Sequence, residues 1–579
     1  MTDVKQLITE HLDIWLTAET EKKSGRGRSS GSNDMIYGVQ KLRELILDFA
    51  FQGKLSIRNS LESSQILIAE LNEIKQDLID KGILKKQKKI TVEPKYEIPS
   101  NWTWLTLQDY LDVRDGTHDT PKYVEKGFPL ITSKNISGGK LDFSDVKYIS
   151  KEDHEAISTR SKVEFGDILF AMIGSIGNPV LVDTEQEFSI KNVALFKPYK
   201  RSITNIRYVL KYLIYIADHL KANAQGAVQS FVSLNVLRGT AIPLPPLEEQ
   251  QRIVEKVDEL MQLCDQLEQQ QTLSSDAHAT LVDTLLKVLT ESSDAEEFQD
   301  NWQRIVANFD VLFTTEYSIE QLKQTVLQLA VMGKLVKQDP SDEPASELLK
   351  QIADEKSKLI KESKIKKSKP LPEISDDEKP FELPNGWEWS RLNNIVSILG
   401  DGLHGTPEYE DNTGLYFING NNLNDGVIEI KDHTKTVSKE SFEKNKKDLC
   451  LRTMCVSING TIGNVAFYNN EPVILGKSAC YFNMIEPTSL LFMKLVFNSP
   501  YFFDYAEKSV TSTTIKNLSL ASMNKFPIPL PPLSEQGLIV KKVDQLFSMI
   551  DQLQVLQSKL QKTKLHLADA LVANAVEGV

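Results

Sequence analysis

Most of this chain is written twice, and that duplication limits its architecture more than any other feature. Ile98-Pro99-Ser100-Asn101-Trp102-Thr103-Trp104 returns as Leu383-Pro384-Asn385-Gly386-Trp387-Glu388-Trp389. Pro243-Leu244-Pro245-Pro246-Leu247-x-Glu249-Gln250 returns as Pro529-Leu530-Pro531-Pro532-Leu533-x-Glu535-Gln536. Between these anchors the offset stays at about 286 residues, the mark of an internal repeat. Asp115-Gly116-Thr117-His118-Asp119-Thr120-Pro121-Lys122-Tyr123 maps onto Asp401-Gly402-Leu403-His404-Gly405-Thr406-Pro407-Glu408-Tyr409. Ile176-Gly177-Asn178 maps onto Ile462-Gly463-Asn464, and Lys191 with Phe196 onto Lys477 with Phe482. Two domains of one fold therefore share the chain. Similar but unequal copies suit two similar but unequal targets.

Short apolar runs such as Asp167–Ile173 and Met454–Ile458 end in glycine turns and read as strands. A helical stretch follows late in each copy, from Ile206 to Leu220 and from Leu490 to Ala506, so each domain reads as α+β. After each Pro-Leu-Pro-Pro-Leu the apolar residues step by four and three. Ile253, Val257, Leu260, Cys264 and Leu267 set one frame, on which Leu281, Leu285 and Val288 also fall. Ile539, Val543, Leu546, Ile550, Leu553, Leu560, Leu567 and Leu571 set the other. That is a heptad, and each helix wants a partner helix. About 38 residues at ~1.5 Å each make a rod on the order of 55 Å. Glu248, Glu249 and Glu535 fall in the first turns, where the helix dipole favours negative charge.

A shorter helix also repeats, with Tyr37, Leu42, Ile46 and Ala50 answered by Tyr317, Leu322, Val326 and Ala330, and Gly53 or Gly333 as its stop. The segments are then a flexible, basic extension over 1–34 that matches nothing else, a helical region over 35–95, and a domain over 96–247. A central helical region over 248–381, a second domain over 382–533 and a terminal heptad helix over 534–579 complete the chain.

The net charge is −13, yet residues 248–320 hold 17 Asp and Glu against 4 Lys and Arg, which accounts for all of it. Both repeated domains are close to balance, which permits a local basic face. The acidic centre is expected to face solvent or a protein. No apolar run approaches the ~18–20 residues of a membrane span, and residues 1–34 lack a signal-peptide pattern. Four cysteines in 579 residues suggest a reducing compartment without a disulfide framework, hence a cytoplasmic location.

Taken together, the Trp-x-Trp entrance, the Gly-x-Ile-Gly-Asn turn and the Pro-Leu-Pro-Pro-Leu-x-Glu-Gln exit into a heptad helix, each present twice, resemble the specificity (S) subunit of type I restriction-modification systems over residues 35–579. The resemblance implies two target recognition domains, each reading one half of a split, asymmetric site in double-stranded DNA. It implies antiparallel coiled-coil helices between them, a pseudo-twofold relating the halves, and docking of two methyltransferase (M) subunits and, through these, restriction/translocase (R) subunits. S-adenosylmethionine, ATP and Mg are then expected on those partners, with no cofactor or metal on this chain.

Positions identical between copies, such as Trp102/Trp387, Gly116/Gly402, Pro121/Pro407 and Gly177/Gly463, read as scaffold. Positions that differ within shared loops, such as Thr117/Leu403, Asp119/Gly405, Lys134/Gly420 and Gln229/Ile515, are where targets are told apart. Lys or Arg suits guanine, and Asn or Gln suits adenine. The first domain offers Lys134, Asn135, Asn223, Gln225 and Gln229; the second offers Asn419, Asn421, Asn422, Asn424, Lys516 and Asn517. Asn-Gly-Asn-Asn reads equally well as turn chemistry. Lys122 and Tyr409 flank the same loops. Lys191 and Lys477 recur at one position as phosphate contacts or as solvated lysines. His118 and His404 recur too, as turn caps or DNA contacts, with no metal-ligand set beside them.

Residues for chemistry are missing from the pattern. No Asp/Asn-Pro-Pro-aromatic motif of an amino-methyltransferase is present, since Leu247 and Leu533 follow the proline pairs. Gly476-Lys477-Ser478 lacks the earlier glycine of a phosphate loop, where Glu471 sits. A non-catalytic DNA-reading subunit is the expectation. The rivals are a self-contained DNA methyltransferase or endonuclease, and a DNA-free protein-binding adaptor.

Overall fold

The computed structural model describes residues 10–18, 36–56, 59, 61–224, 230–293, 295–367, 369–510 and 516–577. They fall into two compact units, Met1–Ser274 with Leu560–Val579, and Ser275–Lys559. The region expected as one central block over 248–381 is thus divided between units. Each unit contains the same parts.

The two sequence signatures are the two sides of one clasp. Thr103–Thr106 pairs antiparallel with Ala241–Leu244, placing Trp104 opposite Pro243. Glu388–Arg391 pairs likewise with Pro527–Leu530, placing Trp389 opposite Pro529. Proline cannot donate to a ladder, and a two-stranded ribbon tolerates it because each strand has an unpaired side. The clasp brings the two ends of each module together.

Inside the clasp of the first unit is an antiparallel sheet in the order Leu111–Asp115, Val193–Pro198, Ile168–Ala171, Gly177–Leu181. The second unit repeats it with Val396–Asp401, Ala479–Met484, Thr453–Ser457 and Val465–Phe467. A second four-stranded sheet in the first unit shrinks in the second to Tyr416–Ile418 beside Val473–Leu475, with isolated bridges around them. The single helix expected over Leu490–Ala506 is two helices, Leu490–Asn498 and Pro500–Ser509. Pro500 supplies no N–H and starts a new helix at its preferred first position. Its counterpart in the first unit is continuous, Ile206–Ala222.

The short repeated helices are Tyr37–Phe51 and Glu316–Val331. Gly53 and Gly333 follow them at φ +71° and +70°, and a Cβ there would lie 2.3 Å from Pro99 Cγ and 2.5 Å from Pro384 Cγ. Glycine therefore ends the helix and also admits the module entrance against it.

Glu249 and Glu535 are not solvated first-turn acids. Both are buried, together with Gln250 and Gln536. Glu249 accepts from Ser56 Oγ at 2.7 Å and Asn101 Nδ2 at 3.0 Å. Glu535 accepts from Trp387 Nε1 at 2.8 Å and Gln338 Nε2 at 3.1 Å. Gln250 donates to Pro245 O and accepts from Tyr110 OH, while Gln536 donates to Pro531 O and accepts from Ser489 N. The glutamate ties each long helix to the module entrance, and the glutamine ties it to the module body.

The long helices are Leu247–Glu291 and Leu533–Glu577, 45 residues each and so longer than the expected 38. Each begins in one unit and finishes in the other. In the first unit the core joins Ile253, Val257, Leu260 and Cys264, with Leu267 at its margin, to Ala568 and Ala575. In the second it joins Val282, Leu286 and Leu289 to Ile539, Val543 and Ile550, with Leu546 and Leu553 at its margin. The short helices fix the directions. Arg43 pairs with Asp265 and Glu268, and Tyr37 donates to Asp569 at 2.6 Å, while Lys54 Nζ reaches Val576 O. Lys323 pairs with Asp551 and bonds Gln554, Tyr317 donates to Asp283 at 2.7 Å, and Lys334 Nζ reaches Thr290 O. In both units the opening part of one long helix runs antiparallel to the closing part of the other.

The heptad frame slips. Leu281, Val288, Leu560 and Leu567 are 50%, 40%, 47% and 45% exposed, and the buried residues are Val282 and Leu289 in one helix, Ala568 and Ala575 in the other. One residue is inserted at the same place in both copies. A strict seven-residue repeat would impose a left-handed supercoil, and the extra residue returns the seam toward ~3.6 residues per turn.

The N-terminal extension is also not wholly a tether. Residues 10–18 include a packed helix, Leu12–Thr17, whose Trp15 is buried against Tyr37–Phe51. Its Glu10-x-x-Asp13-x-Trp15 matches Glu297-x-x-Asp300-x-Trp302 on the helix Ala295–Ala307, so the repeat reaches further than expected. The basic stretch Lys22–Ser32 lies outside the described residues. Much of the acidic segment is engaged inside its own unit, as Glu249, Asp258, Asp265, Glu268 and Asp283 show.

Burial pushes the Glu535 carboxyl above the usual carboxylate range, opposed by the bonds from Trp387 and Gln338. A raised folded-state value favours the protonated form, so this contribution is fullest below about pH 4.5 and fades as pH rises through the raised value. Glu535→Gln is expected to remove that dependence at less cost than truncation, because its amide oxygen still accepts from Trp387 Nε1 while Gln338 stays on Gly333 O. Glu535→Ala strands the buried Trp387 Nε1, since Gln338 Nε2 keeps Gly333 O, and should cost about 1–3 kcal/mol. Thermal melts of the three proteins between pH 4 and 8 check both; equal melts at all pH values contradict the assignment.

Candidate nucleic-acid interface

At one end of the main sheet in each unit, four turns are stitched together by backbone bonds. In the first unit Gly116 N donates to Val193 O, Thr117 N to Ile190 O, and Asn192 N to Thr117 O. Lys191 N donates to Ile131 O, Met172 N to Asn192 O, and Gly174 N to Ser230 O. The second unit repeats the weave: Gly402 N to Ala479 O, Leu403 N to Leu475 O, Lys477 N to Leu403 O, Ile458 N to Ser478 O, and Gly460 N to Lys516 O. A Cβ on Gly116 or Gly402 would lie 2.2 Å from Ile190 O or Leu475 O, so glycine is required where these strands approach. The scaffold is shared; the side chains it carries differ.

Several sequence candidates are exposed or partly exposed. Lys122 is exposed. Lys134 is exposed and paired with Asp145. Lys191 lies beside Thr117 and bonds Thr120 Oγ1, and Lys477 is exposed at the equivalent position. Asn421 is exposed, and Asn424 is exposed with its amide on Glu429 at 2.7 Å. Tyr409 is 40% exposed with Lys435 Nζ 4.4 Å from its ring centre. Lys516 pairs with Glu507 at 3.2 Å, and Asn517 accepts from Asn459 Nδ2 at 3.1 Å.

Other candidates are part of the scaffold. Asn135 is buried; its oxygen accepts from Thr132 N and Oγ1, and its Nδ2 donates to Asp142 O and Asp145 O. Asn422 is buried in the same turn of the second unit, bonded to Asn419 N, Glu429 O and Thr434 Oγ1. Both amides are spent on capping, and base edges have no access to them. Asn419 accepts from Ser478 Oγ, and Asn223 closes the helix Ile206–Ala222. Gln225, Gln229 and Ile515 lie outside the described residues.

The histidines have carboxylate partners that spacing alone did not reveal. His118 Nε2 is 2.9 Å from Asp115 and its Nδ1 is 3.0 Å from Asn192 Oδ1. His404 Nε2 is 2.6 Å from Asp401. Asp115 also holds Arg160. With both ring nitrogens of His118 turned inward, that residue braces two turns against each other. Among the described residues no group of three or more His, Cys, Asp or Glu is placed to hold a metal ion.

The family described as "Type I restriction modification DNA specificity domain" matches residues 99–274 and 384–562. The EcoAI and EcoEI type I restriction enzyme specificity subunits of Escherichia coli are 37% and 35% identical to this chain, each over 99% of it and 100% of the relative. The chain belongs to the type I restriction-modification specificity subunits. Each of its two matched stretches holds one clasped module and the opening part of the long helix that follows, and the pair fits recognition of a two-part DNA site. A crystal structure of the HsdS subunit from Thermoanaerobacter tengcongensis is 19% identical, covers 84% of this chain and 98% of that one, and has a TM-score of 0.38. Among the described residues no helix of the specificity subunit is long and apolar enough to cross a membrane.

The recurrence of a lysine at one scaffold position in both modules lets the phosphate-contact expectation be tested directly. Lys191→Ala and Lys477→Ala should each weaken binding by a similar factor on all DNA sequences. Each should reduce the slope of log K against log salt by about 1. An unchanged slope in a salt titration would remove the phosphate assignment.

Proposed function

We propose that each clasped module reads one half of an asymmetric, bipartite site in double-stranded DNA, and that the paired long helices set the spacing between halves. The observation that carries this reading is the duplicated turn cluster: one backbone weave, two different sets of exposed side chains. Identical readers would suit a palindrome, whereas Lys134 against Asn421 in the turn capped by Asn135 or Asn422, or Asp119 against Gly405, presents different chemistry to the two halves.

In this reading the chain is a non-catalytic subunit that methylation and cleavage by the whole complex require. Two methyltransferase subunits dock on the helices, restriction subunits join through them, and the setting is cytoplasmic. S-adenosylmethionine, ATP and Mg are carried by those partners. Support comes from the relatives' names as specificity subunits and from the absence of amino-methyltransferase and phosphate-loop motifs in this sequence. The acidic segment keeps a smaller part in docking, since much of its charge is engaged internally.

The clasp defines a transplantable piece. Replacing residues 98–245 by the matching module of another family member should change one half of the selected DNA motif and leave the other half and the gap intact. Selection of bound sequences from a random duplex library, with the methyltransferase subunits present, reads this out. A change in both halves, or none, contradicts independent reading.

A further inference from the structure

One backbone feature of the turn cluster carries opposite chemistry in the two modules. In the first, Ile173 and Phe231 form an isolated antiparallel bridge, framed by Gly174 N to Ser230 O at 3.3 Å and Val232 N to Met172 O at 2.9 Å. In the second, Asn459 and Asn517 form the same bridge, framed by Gly460 N to Lys516 O at 3.0 Å and Leu518 N to Ile458 O at 2.8 Å. Each pair sits at the offset of the repeat, so these are the same two positions. Across the bridge the side chains are an isoleucine and a phenylalanine in one module, and two carboxamides bonded to each other at 3.1 Å in the other.

Scaffold positions in this weave keep their character between copies, as Gly116/Gly402 and the buried Asn135/Asn422 do. The bridge does not. Phe231 is 38% exposed, at the rim of the turn cluster. The next residue, Val232, is buried and fixes the strand, so the backbone holds Phe231 outward while its neighbour anchors it. The bridge also adjoins the shared lysine. Met172 N bonds Asn192 O beside Lys191, and Ile458 N bonds Ser478 O beside Lys477.

We infer that the bridge positions 173/231 and 459/517 are a specificity-determining pair, apolar toward a thymine methyl in the first half-site and amide toward an adenine edge in the second. The chemistry follows from the groove. Thymine is the base that presents a methyl group in the major groove, and apolar side chains contact it. Adenine presents an adjacent acceptor and donor, N7 and N6–H, which a carboxamide matches. This rests on the proposed reading of a bipartite site and adds the residues and the base class to it.

The test uses the full chain with its methyltransferase subunits and selection from a duplex library. The wild-type protein comes first: a selected motif in two separated blocks supports the bipartite reading, and a single block or no selection defeats that reading rather than this one. Phe231→Ala, a change at a rim position, should then lower discrimination at one base pair of the first block on the order of tenfold. Phe231→Leu should keep thymine there. The paired change I173N/F231N should shift that base toward adenine, and N459I/N517F should do the reverse in the second block only. Melting temperature is measured for every variant. If a paired swap fails to fold, the single changes Phe231→Ala and Asn517→Ala decide, each through the one base pair it loosens. Unchanged preferences in the folded variants, equal loosening across a whole block, or loss of thymine with Phe231→Leu would each overturn the inference.

Discussion

A buried glutamate and glutamine at the head of each long helix hold the fold together. Burying a carboxylate is costly unless its lone pairs are met. Glu249 is met by Ser56 and Asn101, and Glu535 by Trp387 and Gln338. The glutamines beside them satisfy proline carbonyls that no strand partner reaches. These few bonds join three parts distant in sequence: the loop after the short helix, the entrance to the recognition module and the start of the rod. Module and helix are thus coupled at a fixed joint, which a reading head on a spacer needs.

The second constraint is the exchange of helix ends. The opening part of each long helix packs with the closing part of the other, under a short helix that touches both. Tyr37 binds an aspartate from the second repeat, and Tyr317 binds the equivalent aspartate of the first. Neither repeat is complete by itself. The matched frame slip in both helices follows from the same exchange, since Val282 and Ala568 fill the same place in their units.

The repeat, the α+β character, a strand run in each domain and the heptad helices were legible in the sequence because each depends on local period or on recurrence. Burial was not. Glutamate after Pro-Pro-Leu looks like an ordinary helix start, and only the fold shows Glu249 facing inward. Leu281 and Leu567 satisfy a heptad as well as Val282 and Ala568 do, so spacing could not locate the slip. At the interface, asparagine suits both adenine and turn capping, and the structure assigns Asn135 and Asn422 to capping. Phe231 escaped notice because a lone aromatic in a strand resembles core; comparing it with Asn517 at the repeat offset was the available signal. Glu10-x-x-Asp13-x-Trp15 was in plain view but too short to stand out without the packing of Trp15.

Two unlike readers on one jointed scaffold make a definite claim about the DNA, independent of which bases are chosen. Genome-wide mapping of methylated bases, in one strain with and without this chain, tests that claim most directly. The account predicts methylation that depends on the chain and falls on a motif of two blocks, different in sequence, separated by a gap of constant length. Methylation indifferent to the chain, a continuous motif, or two blocks that are inverted copies of each other would contradict it.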